Sequence, residues 1–192
     1  LELKPFPANG WGLDVYSGAH PGVGALVSAA TATAGFFILY KIMPIAGEAW
    51  YFYVALIGAI TFLGSNLLGT RQNSPNRLLG YSSLGQVGLL MMILGMQDLL
   101  GDKTPFIAFG ILGSHYAAKA GLFWISGMLK AKDIKDWSAL RANPLLLFLF
   151  GTFVFALIGF PPFPSFFAKW ELVMNLSAKG QFIWIAVVLI GS

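Results

Sequence analysis

The sequence predicts an all-α, polytopic membrane bundle of about five full spans plus partial ends, with a broken helix around Pro161 to Pro164. Three observations carry that prediction. Hydrophobic residues make up 57% of the chain and charged residues 10%, against about 25% charged in soluble domains. The apolar residues run without interruption over helix-length stretches, which excludes the alternating strands of about ten residues that build a membrane barrel. Lysine and arginine gather mostly in the short polar stretches between the runs, as topology signals do.

An opening segment rich in Pro, Gly and Trp (residues 1–22) leads to a first span over residues 23–43 and a second over 50–69. Residues 70–76 are turn-forming, and a third span follows over 78–97. The fourth run, 104–128, is apolar except for a few polar positions, and the fifth begins at Pro144, a residue suited to the first turn of a helix. Pro161, Pro162 and Pro164 stop that helix, and apolar helix resumes over 166–176, so the fifth element is two half-helices about a broken centre. Residues 181–192 form a further apolar run, short of a crossing by about 8 residues. Together with a start in a Pro-rich stretch lacking an initiator methionine, this predicts a piece of a longer protein with spans missing at both ends, the whole of 1–192 being one transmembrane domain.

Six basic residues (Arg71, Arg77, Lys130, Lys132, Lys135, Arg141) fall at one side of this arrangement, against Lys41, Lys103 and Lys179 at the other. The imbalance puts loops 70–77 and 129–143 in the cytoplasm. Trp50 and Trp137 suit an aromatic belt, whereas Trp124 and Trp170 are expected to lie deeper and pack. Met91, Met92 and Met96 read as core filling.

Composition also excludes functions. With no cysteine and two histidines, the chain has no disulfide framework, no thiolate metal site and no iron-sulfur ligands, so no cofactor is expected in it. The net charge of +4 sits in loops rather than on a basic patch, which argues against nucleic acid. Gly18 to Gly24 is glycine-rich but lacks the strand and the Lys-Ser/Thr ending of a phosphate loop.

Lys119 is the most informative residue. It lies roughly 13 to 22 Å from either end of its run at 1.5 Å per residue, beyond the ~6 Å that a lysine stem can snorkel. A charge at that depth costs about 3 kcal/mol or more, so it must face protein or water inside a bundle. His115, one turn earlier, shares its face, and Ser114 and Ser126 extend the same polar set. Ser82 and Gln86 add an i, i+4 pair in the third span. Buried lysine and histidine are the side chains whose protonation can be tuned to exchange near neutral pH, the chemistry of a proton relay. The bland alternative is a structural lysine paired with a carboxylate; the first four spans contain none, leaving Glu171 or residues elsewhere. Lys169, about one and a half turns after the proline break, is a second intramembrane lysine, and non-helical backbone at that depth is where transporters place ion sites. Its bland alternative is a lysine near a kinked helix end, balanced by Glu171.

Four strings, DVYSGAHPGVGALVSA (14–29), NRLLGYSSLGQVG (76–88), HYAAKAGLF (115–123) and GFPPFPSFFAKWEL (159–172), resemble, in order and spacing, the proton-translocating antiporter-like subunits. These are chains 2, 4 and 5 of NADH-quinone oxidoreductase (respiratory complex I), with relatives in multisubunit sodium/proton antiporters and membrane-bound hydrogenases. The resemblance implies a fourteen-helix fold of two inverted repeats, of which this chain would hold roughly the second half, in a bacterial or archaeal cytoplasmic membrane or an organellar inner membrane. It implies that Lys119 is the central lysine of the pathway, His115 its companion and Lys169 the lysine of the exit path. It further implies a non-redox subunit moving protons or sodium beside other membrane subunits of a multisubunit complex, driven by electron transfer in partner subunits of an NADH-quinone oxidoreductase; an antiporter or hydrogenase subunit and a degenerate scaffold are the alternatives. Some positions depart from the family. The lysine of the first broken helix falls at Glu2, with Lys4 two residues off, and neither the chain 2 lysine near Ala32 nor the chain 5 histidine in 29–33 is present. DVYSGAHPG is closest to chain 2, whereas HYAAKAGLF reads like chains 4 and 5.

Overall fold

A computed structural model describes residues 3–192, and among these the chain is helical with no strand. The opening segment, too rich in Gly, Pro and Trp to show a helical period, holds a short helix, α1 (Gly10–Gly18). Helix α2 (Pro21–Leu26), capped by His20 and started by proline, runs through a π turn (Val27–Thr31) into α3 (Ala32–Ala46). The three segments make one apolar rod, Pro21–Ala46, that extends the predicted span at both ends. Then come α4 (Ala49–Gly69), α5 (Pro75–Gly95), a single turn α6 (Gln97–Leu100) and α7 (Thr104–Met128). A 3-10 segment (Ile134–Ala142) with a capping box at Asp133 and Asp136 links α7 to α8 (Pro144–Ile158). Pro164, expected to stop the fifth element, instead starts α9 (Pro164–Ala178) at a position where its missing N–H costs nothing. The chain closes with α10 (Phe182–Gly191).

Helices α4 and α5 form the closest pair. Gly58, Gly88 and Gly95 sit where a Cβ would strike the partner helix's backbone, and such small residues let membrane helices approach closely. Helix α5 is the most enclosed element, with Leu89, Leu90, Met92, Ile93 and Leu94 in the main core alongside Phe62, Ile107, Ile111 and Leu172. The three methionines are buried as expected. Trp124 and Trp170 are not: they are 54% and 59% exposed on the outside of the bundle. Trp170 stacks on Phe166 of its own helix and otherwise faces outward, while Trp124 lies at the bundle margin beside Gly22 of α2, so each amphipathic ring can meet lipid or another subunit.

The charges sort to two ends. Ile134 N donates to Asn73 O at 2.9 Å, so loops 70–74 and 129–143 meet, and Arg77 pairs with Asp14 at 3.8 Å at the same end. Opposite them, Lys103 pairs with Glu171 at 3.0 Å and Lys179 donates to Leu99 O.

Candidate functional site

Helix α7 holds His115 and Lys119 at i and i+4, with 1% and 0% exposure. The Lys119 ammonium donates to Leu79 O of α5 at 2.8 Å. Glu171, weighed as a structural partner, is engaged by Lys103 instead, and among the described residues no carboxylate lies within ion-pair distance of Lys119. His115 Nε2 lies 3.2 Å from Ser28 O, while its Nδ1 is buried without a partner among the described residues. The Ser28 carbonyl belongs to the π turn, and the wider i→i+5 winding there loosens the ordinary ladder and exposes carbonyls to other donors. Ser28 Oγ shares a 2.6 Å hydrogen bond with Ser83 Oγ, tying α3's leading turn to α5 beside the histidine.

Ser83 is thus the inward serine of α5. Ser82 and Gln86, selected from the sequence as an i, i+4 pair, are half-buried on an adjacent face, rotated by one residue, or about 100°. Ser82 borders a cleft with Asn66 and Ser192. Ser114 and Ser126 are both buried, with separate partners. Ser114 Oγ accepts from Ser165 N at 3.1 Å, and Ser126 Oγ donates to Asn76 Oδ1 at 2.8 Å. Ser28 could not have been singled out from sequence, since a serine among alanines carries no depth signal; the paired serines of GYSSLG were a weak one.

At the break, α8 ends at Gly159 in the left-handed region (φ 83°), which a side chain would strain. The last carbonyls of α8 lose their i+4 amides there. Ser165 Oγ donates to Ala156 O at 2.5 Å, and the Lys169 ammonium donates to Ile158 O at 3.1 Å and to Ser192 Oγ at 3.2 Å. Lys169 therefore sits across the broken backbone, half-buried, and Ser114 joins that break to the helix of His115 and Lys119.

Lys4 is only 2% exposed, its backbone left-handed (φ 51°). Its ammonium stands 4.9 Å from the centre of the Trp11 ring and 5.8 Å from that of Tyr16, within cation-π range. Tyr16 in turn stacks on Phe123, one turn beyond Lys119, with centroids 5.6 Å apart. Glu2 lies outside the described residues. Among the described residues no group of three His, Cys, Asp or Glu could hold a metal ion.

The family model described as NADH:quinone oxidoreductase/Mrp antiporter, TM, matches residues 3–192. The chain is 32% identical over 205 residues to F(420)H(2) dehydrogenase subunit N of Methanosarcina mazei, covering 99% of this chain and 41% of that protein. It is 28% identical over 211 residues to NADH-quinone oxidoreductase subunit N 2 of Herpetosiphon aurantiacus, covering 100% of this chain and 39% of the relative. The chain thus spans about two fifths of the length of these curated relatives. Its fold matches a chain of the Mrp complex from a Dietzia species with a TM-score of 0.82 at 21% identity, over 99% of this chain and 36% of that one. It also matches a chain of the membrane-bound sulfane sulfur reductase, an archaeal respiratory membrane complex, with a TM-score of 0.85 at 23% identity, over 97% and 40%. With the family matched over nearly its whole length and, among the described residues, four helices long and apolar enough to cross a bilayer, the chain is an integral multi-pass membrane protein that belongs to the NADH:quinone oxidoreductase/Mrp antiporter transmembrane family.

Proposed function

We propose that this chain is part of a membrane subunit that translocates protons, or sodium, coupled to electron transfer in partner subunits of a complex I-like oxidoreductase. The observation that carries the reading is Lys119: a fully buried ammonium at the middle of the bundle, with a carbonyl and no carboxylate as its partner among the described residues, one turn from a buried histidine. A charge so placed is costly, and function is the ordinary reason for keeping it. In this reading Lys119 and His115 hold and pass a proton, Lys169 receives it at the broken helix, and Lys4 serves the loading side. The Ser165 N–H, donating to Ser114 Oγ at 3.1 Å, bridges the two lysine-bearing helices. Conformational coupling would act by altering the hydration of the break, where backbone groups are already released from the helix ladder.

The specific observation favouring a scaffold instead is the stretch 29–33, with Ala29 and Ala32 buried, where neither the chain 5 histidine expected within it nor the chain 2 lysine expected near Ala32 is present. Inverted vesicles bearing the full complex decide between the two. The wild type should take up protons, or sodium, when the electron donor is added, and Lys119→Ala should lose that uptake while assembling normally. Undiminished uptake by the assembled variant would leave the scaffold reading standing.

A further inference from the structure

On the loop side of the bundle a cavity of about 410 Å3 lies between the start of α2, the start of α5 and the end of α7, with His20, Asn76, Trp124, Ser126 and Lys130 in its wall. Its mouth is titratable and charged: His20 and Lys130 border it, and the Asp14–Arg77 pair stands beside Asn76. The floor is the Asn76–Ser126 hydrogen bond of 2.8 Å, between a half-buried amide and a buried hydroxyl.

Helices α5 and α7 run antiparallel from that floor, and both lead to Lys119. Leu79, whose carbonyl accepts the Lys119 ammonium, is three residues beyond Asn76, about 4.5 Å along α5. Ser126 is seven residues from Lys119, about 10 Å along α7, of which the lysine stem spans ~6 Å. The two estimates agree: the ammonium rests about one helical turn beneath the polar floor. Lys169 is reached from α7 through Ser114 and Ser165, on a different route.

We propose that this cavity is the aqueous vestibule through which Lys119 exchanges its proton with the loop side, with the Asn76–Ser126 pair as the last polar step before the lysine. The proposal rests on the translocation reading above and assigns it a route along the α5–α7 seam. An amide and a hydroxyl suit that position because both can donate and accept, so a chain of hydrogen bonds can form in either direction.

The chain has no cysteine, so single thiols can be introduced and read without background from it. In sealed vesicles holding the full complex, Ser126→Cys should be labelled by a membrane-impermeant thiol reagent added on the loop side and should escape labelling from the opposite side. Asn76→Cys is the second probe, should Ser126→Cys fail to assemble, and Lys130→Cys at the mouth confirms the sidedness. Absence of labelling at the floor while Lys130→Cys reacts, or equal labelling from both sides, would overturn the vestibule. The readout does not depend on pumping. Labelling without loss of uptake in Lys119→Ala would refute the translocation reading alone, and loss of uptake without labelling would refute the vestibule alone.

Discussion

Gly88→Ala tests the close packing of α4 on α5, which holds Leu79 and Ser83 in place. A Cβ at Gly88 would stand 2.6 Å from Phe62 N and 2.8 Å from Gly58 O, against 3.4 Å for ordinary contact. Both opposing atoms are backbone, so no rotamer change relieves them, and α4 must retreat by the shortfalls of 0.8 and 0.6 Å. Overpacking of this kind costs about 1–3 kcal/mol. Alanine also gains about 1 kcal/mol of helix propensity over glycine, so the control is Gly64→Ala on α4, where nothing lies within 4 Å of the added Cβ. The propensity gain cancels in the comparison, leaving Gly88→Ala less stable than Gly64→Ala by about 1–3 kcal/mol. Thermal denaturation of the purified protein in detergent measures the difference. A Gly88→Ala variant as stable as Gly64→Ala would show that α4 and α5 do not touch backbone to backbone.

Lys169→Ala should lower ion uptake while leaving the yield of assembled complex near wild type, because it removes donors to Ile158 O and Ser192 Oγ but no packed core residue; vesicle uptake alongside native gels checks both halves. Glu171→Gln should change stability by less than about 1 kcal/mol and leave uptake intact, since its lysine partner, Lys103, is exposed at the membrane edge; a large loss of uptake would revive Glu171 as a partner of Lys119. The backbone N–H groups of Asp133 and Lys132 hold the Asp136 carboxyl below its ordinary value of 3.8. Because the folded form favours the ionised group, its stabilisation is full above that value and is lost as pH falls through the depressed one. The protection of the Lys132 and Asp133 amides against hydrogen exchange, taken relative to an unstructured peptide at the same pH, should therefore fall in acid, and Asp136→Ala should show the low protection already at neutral pH.

What could be read from the sequence was whatever one dimension records. The length and apolarity of residues 50–69 and 104–128 locate α4 and α7 to within a residue, and the depth of Lys119 follows from counting. Burial of His115 follows from its place one turn away. What depended on rotation about a helix axis was less legible. Ser82 and Gln86 formed the better polar pair by type, yet α5 turns Ser83 inward to meet Ser28, a residue with no signal of its own. The apolar faces of Trp124 and Trp170 could not be told from core faces because lipid-facing and protein-facing residues are equally hydrophobic in a membrane. Helix α1 was hidden by its glycines and tryptophan, which fit no period. The π turn was hidden because VSAAT is unremarkable as α-helix, and it is this turn that supplies the carbonyl facing His115.

The number of ions moved per electron pair, measured in proteoliposomes of the full complex with and without Lys119→Ala, tests the central claim most directly. Electron transfer should continue at reduced coupling, with fewer ions translocated per pair than in the wild type. An unchanged ratio in a correctly assembled variant would contradict it, leaving the buried lysine without a part in ion movement.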